Sequence, residues 1–228
     1  RRCLGESIPS NIIDSIGKKY KSITEKTDKQ LNKVKNVISQ YNLFDKNKLI
    51  SFLVKNLSKY SFYELGLIIE YSNINRTKYA SYCTKGYIAN SLVENLPDFK
   101  GKKSVYILEP SVGTGNFLPY LFKKYEGSKT IINLDLIDID ESIINCLKII
   151  IKKLNIPKNF KINFIVDDFL SRDIKKRYQL ILGNPPFGNI VEDKVTLSKY
   201  KSIVKNKETN NIFSFFIEKA IHIGDLVV

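Results

Sequence analysis

The sequence predicts an α/β fold in which a parallel sheet carries helices on both faces and follows a helical N-terminal region. The first observation is a change of pattern: from about residue 104, short apolar runs alternate with amphipathic stretches, which is typical of β-α units. The second is that apolar residues before about residue 72 recur at helical spacing, with lysines on the outer faces. We therefore expect a helical region over residues 1–75 and an α/β domain over residues 76–228.

Helices are predicted between residues 10 and about 72. The apolar residues three or four apart are Leu31, Val34, Val37 and Ile38, and then Leu49, Phe52, Leu53 and Leu57. Asp45 is expected to cap one helix and Ser61 the next, where Glu64 completes a Ser-x-x-Glu capping box.

Strands and helices alternate in the second part of the chain. Predicted strands cover residues 104–108, 131–139, 162–166 and 178–182, with the start of a fifth at 225–228. Predicted helices cover residues 116–125, 141–154 and 211–221. Residues 189–208 are polar and rich in lysine without a clear period, so we expect a mobile loop there. Ligands of such parallel sheets bind at the carboxyl ends of the strands.

Charge and composition narrow the class of function. The 228 residues include 37 Lys plus Arg and 23 Asp plus Glu, a formal net charge of +14. Attraction to a polyanion explains this excess, and so does the composition of an AT-rich genome; charge alone does not separate the two. The single histidine excludes a mechanism built on a histidine pair or triad. Three distant cysteines without a CxxC pair indicate neither a disulfide framework nor a zinc site.

The sequence has neither an apolar run long enough to cross a bilayer nor a signal peptide, so we expect a cytoplasmic protein without a membrane partner. The chain contains no methionine and stops at Val228, in what looks like the opening of a strand. We therefore expect a fragment that is cut short at its C-terminus.

A glycine-rich turn, EPSVGTGNF over residues 109–117, follows the first predicted strand. Gly113 and Gly115 let the backbone approach a ligand closely. The turn is not a phosphate loop, because no Gly-Lys-Ser/Thr follows, and Leu118 stands where a dinucleotide-binding turn has its third glycine. A plain tight turn is the alternative. Glu109 at the strand end favours a ligand with positive charge, such as S-adenosylmethionine, which has a sulfonium and an ammonium.

Acidic residues follow the next two predicted strands. Asp138 can accept hydrogen bonds from both hydroxyls of a ribose, while Asp140 suits the N-cap of the next helix. Asp168 can accept from the amino group of an adenine, with Phe169 packed against the ring. Taken alone, the segment around Asp168 is better explained as a simple turn.

The segment GNPPFG, over residues 183–188, directly follows the fourth predicted strand and is the most specific in the chain. Pro185 and Pro186 fix φ and remove two backbone donors. The main-chain carbonyls of Asn184 and Pro185 are then expected to be free to point at one spot, with the Asn184 side-chain carbonyl as a further acceptor. Phe187 offers a flat face on which a base can stack. An ordinary loop is the alternative.

Together, EPxxGxGxF and NPPF resemble the motifs of the amino-methylating, adenine-N6 type of DNA methyltransferase, of the restriction-modification class. In the gamma arrangement of that family, a cofactor-binding segment with a threonine precedes the glycine-rich turn. Residues 82–93 resemble that segment, with Lys85 where the family usually has proline, and residues 211–220 resemble the helix before strand five. The resemblance covers roughly residues 76–228, which would be the catalytic domain. We expect the target-recognition domain of the family to be absent.

The resemblance implies a Rossmann-like S-adenosylmethionine-dependent methyltransferase fold and assigns roles to residues. The residues that would line the methionine moiety of the cofactor are Thr84, Glu109, Gly113 and Gly115. Asp138 would bind the ribose, and Asp168, Phe169 and Phe216 would surround the cofactor adenine. The catalytic turn that meets the target base would be Asn184, Pro185, Pro186 and Phe187.

The implied reaction is methyl transfer to N6 of an adenine flipped out of double-stranded DNA, with a restriction endonuclease or specificity subunit as a candidate partner. Asn184 Oδ1 and the Pro185 carbonyl would accept the amino hydrogens and localise the nitrogen lone pair. Several alternatives stay open. They are methylation of an RNA adenine, of a protein glutamine or of cytosine N4, and a non-catalytic DNA-binding subunit that keeps the methyltransferase fold.

Overall fold

The computed structural model describes residues 29–76, 84–187 and 193–228. Four helices come first: α1 over residues 29–41, α2 at Lys46–Asn56, α3 at Phe62–Ser72 and α4 at Gly86–Glu94. The α/β part follows as β1 Ser104–Glu109, α5 Leu118–Tyr125, β2 Ile131–Asp138, α6 Glu141–Ile150, β3 Phe160–Val166, β4 Leu180–Ile181, α7 Lys194–Ile203 and α8 Ile212–Ile223. A 3₁₀ turn at Ile151–Lys153 extends α6. The predicted alternation of strands and helices is confirmed.

The four strands form one parallel sheet in the order β3-β2-β1-β4. β1 pairs with β2 along its whole length and with β4 at two positions. On the far side of β4, Ile181 bridges Val227 in parallel, so the segment after α8 lies where the fifth strand is predicted. Successive strands are added on one side of β1 and then on the other. The carboxyl ends of β1 and β4 therefore form the switch point at which open α/β sheets bind ligands.

Side chains on the two faces of the sheet enter two apolar clusters, because successive residues of a strand point to opposite faces. In β1, Ile107 belongs to the cluster covered by α1 to α6, and Leu108 to the cluster covered by α7 and α8. β2 divides in the same way at Leu136 and Ile137. All four side chains are fully buried. Helices thus cover both faces of the sheet, as the sequence predicts.

The N-terminal helices pack directly on the α/β part. Leu53 of α2 and Leu65 of α3 are fully buried in the same cluster as Leu147 of α6. α3 also passes close to the glycine-rich turn, since a Cβ built on Gly66 would lie 3.1 Å from Thr114 Oγ1. α3 therefore packs against the glycine-rich turn, a contact that the sequence does not reveal.

The predicted helix caps are present. Asp45 accepts a hydrogen bond from the Lys48 amide at 2.9 Å at the start of α2. Ser61 and Glu64 form the reciprocal capping box of α3. The helical prediction is thus confirmed from residue 29 to residue 72, and residues 10–28 lie outside the described part of the chain.

The prediction of a loop over residues 189–208 is wrong at Lys194–Ile203, which form α7. Asp193 caps the first turn of this helix. Leu197, Tyr200 and Val204 then follow at helical spacing and pack into the second apolar cluster. Lysines lie between these apolar residues, so the helical spacing of the apolar residues is not apparent from the sequence. Within the described stretches, no helix has the length and apolar character that a membrane crossing requires.

Candidate functional site

A pocket opens at the carboxyl ends of the strands, where the predicted motifs converge. The predicted residues in its wall are Thr84, Glu109, Gly113, Asp138, Asp168, Phe169, Asn184, Pro186 and Phe216. The predicted residues that lie outside the wall are Gly115, Pro185 and Phe187. Within the described part of the chain, no group of three or more His, Cys, Asp or Glu side chains is placed to hold a metal ion.

The two glycines of the glycine-rich turn have different structural roles. Both have positive φ, 53° at Gly113 and 76° at Gly115, a conformation that glycine adopts at little cost. The Gly113 amide donates to Asp138 Oδ2 at 2.8 Å and ties the turn to the end of β2. A Cβ on Gly115 would lie 2.7 Å from Leu118 Cδ1 and 2.8 Å from Leu147 Cδ1. Gly115 therefore lets the turn pack on the core, and Gly113 is the glycine in the pocket wall.

Asp138 is bound on both oxygens by backbone amides. Oδ2 accepts from Gly113 at 2.8 Å and Oδ1 from Asp140 at 3.0 Å. Burial raises the pKa of Asp138 to about 6, although these backbone hydrogen bonds act in the opposite direction. Asp140 has the predicted capping role, because its Oδ1 accepts from the Ser142 amide at 2.9 Å. Both carboxylates therefore line the pocket, and Asp140 also caps the start of α6.

Glu109, at the end of β1, is 2% exposed. Its Oε2 has no hydrogen-bond partner among the residues that the structure describes. Burial raises the pKa of Glu109 well above its ordinary value, and the charge of Asp138 raises it further. An unpaired buried carboxylate is costly, so this carboxyl keeps its proton to higher pH than usual until a cation or a donor enters the pocket.

The Thr84 segment is held against the glycine-rich turn by a buried amide. Asn116 donates from Nδ2 to the Thr84 carbonyl at 2.7 Å. On its other side, Asn116 Oδ1 accepts from Thr114 Oγ1 at 3.3 Å. Thr84 thereby reaches the pocket wall. Residues 82 and 83 of the predicted segment lie outside the described residues.

Asp168, Phe169 and Phe216 all lie in the pocket wall. The rings of Phe169 and Phe216 have centroids 5.0 Å apart and are both buried. Lys219 lies over Phe169, with Nζ 5.1 Å from the ring centroid. Asp168 accepts from the Leu170 amide at 3.0 Å, an arrangement that also fits the simple Asp turn considered above. Both rings belong to the pocket wall.

The turn after β4 touches the glycine-rich turn. Ser111 Oγ donates to the Asn184 main-chain carbonyl at 3.2 Å. A Cβ on Gly183 would lie 3.1 Å from Pro110 Cδ, so the two turns are in van der Waals contact. The expectation that the Asn184 main-chain carbonyl is free is therefore wrong, because the Ser111 hydroxyl binds it.

Phe187 is half exposed and stacks on a residue of α8. Its ring centroid lies 4.8 Å from that of Phe213, with an angle of 25° between the planes. One face of the Phe187 ring is therefore covered by α8.

The wall also contains residues that the sequence argument missed. They include Asn73, Ser111, Ile139 and Tyr200. Ser111 and Ile139 lie inside recognised motifs, but neither motif assigns them a role. Asn73 ends α3 and donates from Nδ2 to Asp140 Oδ2 at 3.1 Å, a contact across 67 positions that no local pattern announces. Tyr200 lies in the segment that was expected to be a loop.

Comparison with known proteins finds similarity to methyltransferases. No protein-family model matches it. It is 26% identical over 157 residues to the type II methyltransferase M.AccI of Acinetobacter calcoaceticus, covering 65% of this chain and 26% of that protein. It is 36% identical over 95 residues to the type II methyltransferase M.MjaIII of Methanocaldococcus jannaschii, covering 41% and 31%. It is also 36% identical over 86 residues to malonyl-[acyl-carrier protein] O-methyltransferase 1 of Ilyobacter polytropus, covering 38% and 29%. The matches thus span between a quarter and a third of each relative's length.

Among solved structures, a protein from Listeria monocytogenes described as a class I S-adenosylmethionine-dependent methyltransferase aligns with a TM-score of 0.51 at 18% identity. The alignment covers 74% of this chain and 52% of that one. This likeness confirms the predicted Rossmann-like methyltransferase fold. The two type II relatives confirm the predicted resemblance to restriction-modification DNA methyltransferases.

Proposed function

We propose that this chain is the catalytic part of a restriction-modification DNA methyltransferase that transfers a methyl group from S-adenosylmethionine to N6 of an adenine flipped out of duplex DNA. One observation carries the proposal: Ser111 Oγ donates to the Asn184 main-chain carbonyl at 3.2 Å. Through this contact, a turn suited to the cofactor and a turn suited to an amino group share one pocket.

The pocket residues fit S-adenosylmethionine, which when bound supplies an electrophilic methyl group on a sulfonium. Glu109 Oε2, buried and unpaired among the described residues, would accept from the ammonium, whose charge would restore the ionised carboxylate. Asp138 would bind the ribose hydroxyls through the lone pairs that remain on its two oxygens after the amides of Gly113 and Asp140 are bound.

The other end of the pocket fits a purine ring. Asp168 would accept from the amino group of the cofactor adenine, and Phe216 and Ile139 would contact the ring. Ile139 is 49% exposed in the pocket wall although it is apolar, which is consistent with a surface that a bound ligand covers.

The turn after β4 would activate the target. The amino nitrogen of adenine is a weak nucleophile because its lone pair is delocalised into the ring. Asn184 Oδ1 and the Pro185 carbonyl would accept its two hydrogens and favour a pyramidal nitrogen with a localised pair. Pro185 and Pro186 have no N–H, so these positions bring no competing donor to the amino group. The nitrogen–methyl bond would form in line as the sulfur–methyl bond breaks, and the nitrogen would then release one proton to solvent.

Charge beside the pocket supports a nucleic-acid substrate. The segment from Lys194 to Lys207 carries five lysines, and α7 within it reaches the pocket wall through Tyr200. Lysines at such a place would neutralise backbone phosphates. A base inside a duplex cannot reach the pocket, so the adenine would have to be flipped out. Phe187, half exposed, would then offer the stacking surface.

The similarity to a malonyl-[acyl-carrier protein] O-methyltransferase raises a second candidate substrate, a carboxylate. A carboxylate oxygen is already a nucleophile and has no hydrogens for Asn184 and Pro185 to accept. The Asn-Pro-Pro turn therefore favours a planar amino group. RNA adenine and the glutamine side chain share that chemistry, and only a direct assay separates them from DNA adenine.

The test is transfer of labelled methyl groups to duplex DNA, RNA, a release-factor-like protein and a malonyl thioester. We expect transfer to DNA adenine, and Asn184→Ala should reduce it at least about 100-fold, as for the loss of one preorganised polar contact at a reacting centre. Its affinity for the cofactor should stay within a few fold, and Asn95→Ala at the end of α4 is the control. Most activity retained in Asn184→Ala would show that the turn is not catalytic, and transfer to another substrate class would refute the DNA assignment.

A further inference from the structure

α7 places a buried tyrosine against the carboxylate that follows β3. Tyr200 is 6% exposed, and its hydroxyl donates to Asp168 Oδ2 at 3.0 Å. The ring centroid lies 5.8 Å from that of Phe215 in α8, and Leu197 and Val204 belong to the same apolar cluster. The packing of α7 thus holds the hydroxyl at a pocket residue, although no recognised motif includes this helix.

Three donors fix the orientation of the Asp168 carboxylate. The Leu170 amide donates to Oδ1 at 3.0 Å, and the hydroxyls of Ser171 and Tyr200 both donate to Oδ2. A carboxylate offers about four lone-pair sites, so Oδ2 is saturated and one acceptor site remains on Oδ1. Burial and the charge of Asp168 raise the pKa of Tyr200 well above its ordinary value, so its hydroxyl remains a donor at neutral pH.

We infer that Tyr200 is a positioning residue that makes the pocket select a purine with an amino group over a purine with a carbonyl at the same position. The inference rests on the proposed function. With Oδ2 saturated, Asp168 presents Oδ1 to the ring as a fixed acceptor. An amino group donates to that oxygen, whereas a carbonyl oxygen is repelled by it. Without the Tyr200 hydroxyl, the carboxylate can turn and the two purines are distinguished less well.

Binding calorimetry with S-adenosylhomocysteine and S-inosylhomocysteine tests this, since the second ligand replaces the amino group with a carbonyl. We expect the wild-type protein to prefer the adenosyl ligand. In Tyr200→Phe, which keeps the ring and its packing, affinity for the adenosyl ligand should fall by about three- to tenfold, the range of a single hydrogen bond. Affinity for the inosyl ligand should hardly change. A merely structural role would weaken both ligands equally, and that result would overturn the inference.

Tyr178 provides a matched control. It is 2% exposed, and its hydroxyl donates to Asp135 Oδ2 at 2.6 Å, outside the pocket wall. Tyr178→Phe should leave the ratio of the two affinities unchanged, and a ratio that falls as far as in Tyr200→Phe would overturn the inference.

A second measurement asks whether Tyr200 acts through Asp168. In an Asp168→Ala background, Tyr200→Phe should cause no further change in the affinity ratio, because the carboxylate through which it acts is gone. A full additional loss would show that Tyr200 acts elsewhere and would sink the inference. Wild-type protein that binds neither ligand would refute the proposed cofactor itself, and the inference with it.

Discussion

Replacing Glu109 with glutamine distinguishes two effects of the buried carboxyl: it lowers the stability of the free protein, and it strengthens the binding of a cationic ligand. Glu109 is 2% exposed, its Oε2 is unpaired among the described residues, and its pKa is raised well above the ordinary value by burial and by Asp138. The folded protein therefore holds this proton over a pH range in which the unfolded chain has already released it. Stability falls as pH rises from about 4.5 through the raised pKa. Glu109→Gln removes that loss, so we expect the free variant to unfold at a temperature equal to or above that of the wild type at pH 8.

The same substitution should weaken the binding of the cofactor. A hydrogen bond to a charged partner contributes about 1.5–3 kcal/mol, so losing the carboxylate opposite the ammonium predicts a roughly 10- to 150-fold higher Kd for S-adenosylmethionine. Binding to the wild type should also release protons, because the ammonium ionises a carboxyl that was neutral, whereas the variant should release fewer. Calorimetry in buffers of different ionisation enthalpy measures both quantities.

A truncated ligand supplies the control. 5′-Methylthioadenosine keeps the adenine, the ribose and a thioether but lacks the ammonium, so Glu109→Gln and wild type should bind it equally. If the variant bound S-adenosylmethionine within threefold of wild type, or lost both ligands to the same extent, Glu109 would not face the ammonium.

Two further predictions test the surroundings of the pocket. Gly66→Val should cost about 1–3 kcal/mol of stability by overpacking and should weaken cofactor binding, because even a Cβ there would lie 3.1 Å from Thr114 Oγ1. Thermal melting measures the loss of stability and calorimetry the cofactor affinity. An unchanged Kd for the cofactor would mean that α3 does not support the glycine-rich turn. Replacing Lys194, Lys199 and Lys201 together by alanine should reduce the salt dependence of DNA binding by about 2.7 in log–log slope while cofactor affinity stays the same. The triple replacement of Lys102, Lys103 and Lys129, which are exposed just before the amino ends of β1 and β2, is its control. Equal slopes for the two triple variants would exclude α7 from the DNA surface.

The sequence was most informative where one local signal decides the structure. Asp45 and the Ser61–Glu64 pair are caps because a side chain binds an amide three positions away, and such pairs can be found by inspection. Buried parallel strands are also found by inspection, because each of them appears in the sequence as a short apolar run. The pocket residues at strand ends follow from the fold class, since β1 and β4 must end at the same edge.

The features that could not be predicted from the sequence depend on tertiary contacts. Asn73 forms a hydrogen bond with Asp140 because α3 packs on α6. Gly115 faces Leu147 instead of the pocket because the glycine-rich turn packs on the core. α7 was missed because its apolar stripe comprises only three residues among lysines, a pattern too weak to exceed the polar background. The carbonyl of Asn184 was expected to be free because Ser111, its donor, lies in a different motif.

The bond between Ser111 and Asn184 joins positions 73 apart in the chain. Bringing such distant segments together costs loop-closure entropy, which contacts in the folded chain must offset. The pocket wall draws on residues from both parts of the sheet, so neither part alone contains the whole wall. The second wall requires β4 beside β1, because the Asn-Pro-Pro turn directly follows β4. A nascent chain that has emerged only as far as β3 therefore carries Gly113 and Asp138 but lacks Asn184, Tyr200 and Phe216 of the pocket wall.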